Sequence, residues 1–315
     1  MKNGLLILTA LSVLIPATAH AIDTGGKVSV KVQGRASFCA EEQGNGFKGE
    51  HLDVQLDGKV GKGLSYHLFH SLGKPKTSFM SATNWAYVQY DLGPWAFSMG
   101  KFMIEYGGME YWAAPIDVYY AGYYWDHFNG CFNYGVTVSR ALGENERLHL
   151  QVSRSPFSVE LLSGMYAYSM SLRGRQGCWE HHLSVNLLEQ TKGSFVNHVA
   201  LGNDFTWGPV HLQVDLIHRS SLASMSFFKD FSTLGRLTVS ATPWLDVFTK
   251  CCYDLNVDVD DLNVVPGTEM FKFGGGVEVY PIKDYRGLRI HCLYYKSGSV
   301  PAFMAGVTWK VYIFN

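Results

Sequence analysis

Residues 105 to 128, EYGGMEYWAAPIDVYYAGYYWDHF, carry four carboxylates (Glu105, Glu110, Asp117 and Asp126), one histidine (His127), nine aromatic residues and no Lys or Arg. Fixed acids at such open spacing can act as a charge filter, because a row of like charges attracts ions of one sign and repels the other. Asp126 beside His127 also has the residue types of a hydrolytic dyad. Dyad members must meet in space rather than in sequence, however, and the chain contains no G-x-S-x-G elbow. In DLNVDVDDLNVV (254 to 265), Asp254, Asn256 and Asp258 stand at calcium-loop spacing, but Val259 occupies the place that needs Gly and Val265 the place that needs Glu. A solvated acidic segment fits better. Glu180-His181-His182 is metal-capable by type, yet successive residues of a strand point to opposite faces. Gly274-Gly275-Gly276 sits inside a strand pattern, without the following helix that a phosphate cradle uses. Cys251 and Cys252 are neighbours on opposite faces, and no pairing is assigned to the six cysteines. No catalytic residue, metal site or cofactor is expected.

What positions these groups is a repeated alternation. In KVSVKVQGRASF (27 to 38), Val28, Val30, Val32, Ala36 and Phe38 share one face, and Lys27, Ser29, Lys31, Gln33 and Arg35 the other. HLDVQLDGKV, RLHLQVSR and VHLQVDL repeat the split, and no convincing amphipathic helix interrupts it. About sixteen strands are expected, near 27–40, 50–60, 64–71, 84–92, 95–102, 132–141, 147–155, 166–174, 178–188, 196–206, 210–219, 232–241, 244–254, 270–280, 288–296 and 302–314. Short links rich in Gly and Pro, such as Gly61-Lys62-Gly63, Gly93-Pro94 and Gly208-Pro209, alternate with mostly longer ones at 41–49, 72–83, 103–131, 156–165, 189–195, 220–231, 255–269 and 297–301.

The chain opens MKNGLLILTALSVLIPATAHA, which reads as a cleaved secretory signal over 1–21 ahead of a single domain over 22–315. A net charge of -1 without a basic block argues against a nucleic-acid partner. A soluble sandwich also alternates. Strands of about ten residues, turns and loops segregated to opposite ends, and aromatics beside the short turns (Tyr90, Trp95, Trp207, Trp244, Tyr280 and Tyr285) favour a closed transmembrane antiparallel β-barrel, all-β and up-and-down. Such a barrel leaves no open edge in lipid.

In lipid the apolar face is outside, so the polar face lines the interior. That wall includes Lys31, Arg35, His51, Asp53, Arg147, His149, Arg173, Asp215, Arg236, Lys250, Glu278, Arg289 and Lys310. Charges of this number cannot pack dry, and sixteen strands enclose a lumen wide enough for water. A water-filled channel follows, with a mixed, weakly selective lining. NWAYVQYD offers aromatics to both faces and leaves the phase of its strand open.

WAYVQYDLGPWAFSMGKFMIEYGGMEYWAAPIDVYY resembles the corresponding region of phosphate-selective porin O/P-type proteins, especially those of Bacteroidetes outer membranes, over roughly residues 84 to 141. The shared order is a strand ending in a Q-Y-like pair, a short turn, a strand ending G-K, and a Gly-Gly/aromatic/Pro-x-Asp-Val-Tyr loop. The resemblance implies a sixteen-stranded outer-membrane porin, trimeric, passing small hydrophilic solutes and ions, with its long third outer loop folded inward. The alternative is a structural or adhesive barrel without an open channel. Phosphate-selective members use an inward arginine ladder and a lysine cluster, whereas this loop is acidic. The chain also ends Phe314-Asn315 where such barrels commonly end on an aromatic. Glu105, Glu110, Asp117 and Asp126, with His127 nearby, are expected at the pore constriction, opposed by Lys31, Arg35, Arg147, Arg173 and Arg236 on the pore wall. Outer-membrane lipid and lipopolysaccharide would surround the barrel, with the acidic segment after Asp254 as a possible cation bridge to the latter.

Overall fold

A computed structural model describes residues 28–42, 44–73, 79–127, 130–158, 164–221, 229–257 and 266–314. The expected export signal, Asp258 to Val265 of the acidic segment, the Phe314 side chain and Asn315 lie outside the described residues. Sixteen strands follow in chain order: β1 (Val28–Glu41), β2 (Gly44–Val60), β3 (Leu64–Ser71), β4 (Thr83–Leu92), β5 (Trp95–Met103), β6 (Phe132–Ala141), β7 (Glu146–Arg154), β8 (Tyr166–Gln176), β9 (Trp179–Thr191), β10 (Ser194–Trp207), β11 (Val210–Ser221), β12 (Asp230–Thr242), β13 (Leu245–Asn256), β14 (Thr268–Val279), β15 (Leu288–Ser297) and β16 (Val300–Phe314). Each pairs antiparallel with its neighbours, and β1 pairs with β16 as well as β2, so the barrel closes. No described helix is long and apolar enough to cross a membrane; the crossing segments are strands.

The period of two sets the wall. Along β13, Asp246, Phe248, Lys250, Cys252 and Asp254 are buried inside while Val247, Thr249 and Cys251 are exposed outside. Val88, Phe97, Met99, Leu150, Met170, Phe273 and Ile290 are exposed apolar residues of the same outer face, as a lipid-facing band requires. The ambiguous β4 resolves with Trp85, Tyr87 and Gln89 toward the interior and Val88, Tyr90 and Leu92 outward.

Three links are shorter than the sequence suggests: 42–43, 192–193 and 298–299. The hairpin of β1 and β2 runs on past the apolar stretch through Gly44, Gly46 and Gly49, pairing Phe38 with Phe47. At the tight-turn end, Tyr90, Trp95, Trp207, Trp244 and Tyr285 are exposed as an interfacial girdle. Tyr280 departs from it. The link over 280–287 is longer than its neighbours, and Tyr280 turns inward with its hydroxyl 2.7 Å from Glu278 and 3.1 Å from Asp246.

Candidate functional site

The segment between β5 and β6 folds into the barrel because its aromatics find apolar partners there. Its two ends are clasped by Ile104 N–H donating to the Cys131 carbonyl at 2.9 Å. Tyr119, Tyr120 and Tyr123 pack with Leu234, Phe248, Cys252, Leu293 and Met304 of the far wall, and Tyr106, Tyr111 and Tyr124 pack with Ala200 and Ile217. Tyr120 stacks on Tyr295 at 4.6 Å and Tyr119 on Phe248 at 5.6 Å. Fully burying a large apolar side chain of this size contributes on the order of 1.5–3 kcal/mol before entropy is subtracted. Burial holds the Tyr111 and Tyr124 hydroxyls far above the ordinary phenol range, so both stay neutral.

Close backbone contact lets the loop lie flush on β10. A Cβ on Gly202 would stand 2.6 Å from Gly108 Cα, and one on Gly107 would stand 2.7 Å from the Ala200 carbonyl oxygen. Neither position has room for a side chain. Asp215 on β11 accepts the backbone N–H groups of Met109 and Glu110 at 2.7 and 2.9 Å, satisfying two donors at the start of the helical turn Met109–Trp112.

Three of the four loop acids turn to the wall and are neutralised there. Glu105 accepts from Arg173 at 2.6 Å and Ser171 at 2.8 Å, with His149 at 3.6 Å. Its backbone is held by Gln151 (2.8 Å) and Asn186 (2.6 Å). Glu110 pairs with Lys250, both buried, and its other oxygen accepts Gly122 N–H at 2.7 Å. Asp117, in the tight turn Pro115–Asp117, is bonded by Arg289 at 2.6 Å and Lys310 at 2.8 Å. Burial alone would raise the Asp117 carboxyl, but those two cations hold it below the usual carboxylate range. Asp126 is the exposed one of the four. Partial enclosure raises its carboxyl, opposed by the charges of Lys272 and His127.

His127 is buried against Asp254, 3.1 Å off. Asp254, expected at the end of a strand and the start of a solvated acidic segment, is enclosed inside the barrel on β13, bonded also by Ser232 and by Arg219 at 3.3 Å. Strand β13 continues through Asn256, which moves the start of the acidic segment onto the wall.

The loop lies against the wall from β8 round to β16 and β1, leaving free space on the other side of the lumen. That space is a cavity of about 1100 Å³, bounded by β1 to β8 and the inner face of the loop. Its lining follows β4 from Asn84 to Asp91. Of the five basic residues expected on the wall, Lys31, Arg147 and Arg173 border this cavity. Arg35 and Arg236 face the loop. Arg35 pairs with Glu50 at 2.6 Å and donates to the carbonyls of Ile116 and Val118 at 3.1 and 2.9 Å, and Arg236 donates to the Asp117 carbonyl at 3.4 Å. Lys250, Arg289, Lys310 and Asp215 were legible as inward-facing, but nothing in the sequence marks them as the loop's partners.

A sixteen-stranded closed barrel with a polar interior, a lipid-compatible exterior and an inward loop beside a wide lumen defines an outer-membrane diffusion channel. The sequence profile of phosphate-selective porin O and P matches residues 24–206, more than half of the chain, and the chain belongs to that porin family. It therefore resides in the outer membrane of a Gram-negative bacterium. No curated protein matches it in sequence. Solved structures share the fold at low identity. The outer-membrane channel DcaP of Acinetobacter baumannii aligns with a TM-score of 0.64 and 13% identity, over 91% of this chain and 97% of that one. The anion-selective porin of Comamonas acidovorans gives 0.62 and 8%, over 91% and 99%. The trimer form of OmpT, an outer membrane protein of Vibrio cholerae, gives 0.64 and 10%, over 91% and 99%.

Proposed function

We propose that small hydrophilic solutes and ions cross through the passage between the loop and β1 to β8, with the loop fixing its width. The observation that carries this reading is the cavity whose lining follows β4 from Asn84 to Asp91. No bond is made or broken in the solute; selectivity comes from pore size and lining charge. Glu105, Glu110 and Asp117 serve as latches of the constriction, since each is already paired with a wall cation. Lys31 and Arg147 then stand as lining cations against Asp91 and favour anions weakly. Residues 1–21 act as the removed export signal, the mature barrel associates as a homotrimer, and lipid and lipopolysaccharide contact its outer face.

Reconstitution in planar bilayers tests the reading. Stepwise, ohmic currents are expected, with a reversal potential in a salt gradient displaced modestly toward anions. A folded but electrically silent barrel would favour a structural or adhesive role.

A further inference from the structure

The loop residues bordering the free lumen between Tyr111 and Trp125 are all apolar or aromatic, among them Trp112, Ala113, Ala114, Pro115 and Val118. That is an unexpected surface for a water-filled channel, whose interior is ordinarily polar. β4 adds Trp85 and Tyr87 to this lining at a spacing of two residues; Trp85 packs against the loop's aromatic cluster and stacks one face on Phe69 at 4.6 Å, and Tyr87 stacks one face on His67 at 4.6 Å. Trp112 is oriented by the Arg173 guanidinium, 3.7 Å from its ring centroid, and by its own N–H donating to the Tyr106 carbonyl at 2.7 Å.

The rest of the lining is dominated by neutral hydrogen-bonding groups. Gln33, Gln55, Gln89, Gln151 and Asn84 contribute five side-chain amides; the last four already donate within the protein, to Asp57, Asp91, Thr137 and Ser71 respectively, and keep only their remaining donor and acceptor capacity for a ligand. Gln33 is 1% exposed, and neither its amide oxygen nor its nitrogen has a hydrogen-bond partner in the protein. A buried amide left in that state is costly, and a ligand hydroxyl would relieve it once the side chain swings into the passage that it borders. The Glu105 and Arg173 charges at this wall cancel each other at 2.6 Å.

We infer that the passage carries a recognition track for neutral, ring-shaped polyols, with pyranose sugars as the ligand class. Such a ring has a face of C–H groups that gains contact with aromatic faces, while its hydroxyl edge needs groups that both donate and accept. A purely apolar solute would leave the Gln33 amide unpaired, and an ion would find few uncompensated charges along the aromatic side. The inference deepens the channel reading above and depends on it.

The test is glucose block of single-channel current, with acyclic mannitol as the control for viscosity and hydroxyl count. Saturable, concentration-dependent block by glucose but not mannitol is expected. Trp112→Ala should raise the half-blocking concentration about three- to tenfold, and Gln33→Leu about two- to tenfold. Should Trp112→Ala fail to fold, the glucose and mannitol comparison and Gln33→Leu still decide. Normal conductance with equal, non-saturating effects of glucose and mannitol would overturn the sugar track alone. Block by benzoate in place of glucose would overturn it in favour of aromatic acids, and absence of any conductance would overturn the channel reading with it.

Discussion

Replacing Lys250 with Met leaves the Glu110 carboxylate buried without its cation, although its bond from Gly122 N–H remains. Breaking a buried pair from one side costs about 3–5 kcal/mol. At about 1.4 kcal/mol per factor of ten, that moves the docking equilibrium of the loop by roughly two to three and a half orders of magnitude. The barrel ladder takes no part in the pair, so the sheet should persist while the loop detaches. Single-channel recording should then resolve a wider, noisier conductance state, with the folded barrel retained on a cold SDS gel. The double substitution Glu110→Gln and Lys250→Met removes both charges, and the remaining loss is that of ordinary hydrogen bonds at about 0.5–1.5 kcal/mol each. It should therefore be closer to the unsubstituted channel than Lys250→Met alone. A Lys250→Met channel with unaltered conductance, or a double variant as open as the single one, would refute the argument that this pair latches the constriction.

Asp117→Asn removes the acid shared by Arg289 and Lys310, and the reversal potential in a salt gradient should move toward anions. Gly202→Val forces a side chain into Gly108 Cα, so conductance should rise without loss of the barrel. Asp117 has a carboxyl held below its ordinary value, so its contribution to docking is full above the unfolded value of about 3.9 and is lost as pH falls through the lower folded value. Conductance should thus be steady from pH 7 to about 4 and rise only below that; in Asp117→Asn the acid-side rise should diminish.

All sixteen strands were legible, because a wall with lipid on one side and polar groups on the other imposes period two on every crossing segment. The inward phase of Lys250, Arg289 and Lys310 was legible for the same reason. Their pairing was not, since Glu110 meets Lys250 across 140 residues and Asp117 meets Arg289 across 172. Periodicity says which face a residue occupies, never which distant segment reaches it. The inward fold of the loop was implied by the porin resemblance, but its charge and its surface are separated by geometry: Glu105, Glu110 and Asp117 pair with wall cations, and Trp112 to Pro115 border the lumen. Asp254 stood both at the end of the expected strand 244–254 and at the start of the acidic segment; a buried bond from Arg219 keeps it on the wall, and the strand runs on to Asn256.

The central claim is that solutes pass between the loop and β1 to β8. Ser98, at the cavity, and Ser232, buried against Asp254 on the opposite wall, can each be replaced by Cys and treated with a bulky thiol reagent during recording, against the unsubstituted chain as control. Labelling of Ser98→Cys should reduce the current sharply while Ser232→Cys leaves it unchanged. Block at Ser232→Cys with none at Ser98→Cys would contradict the account.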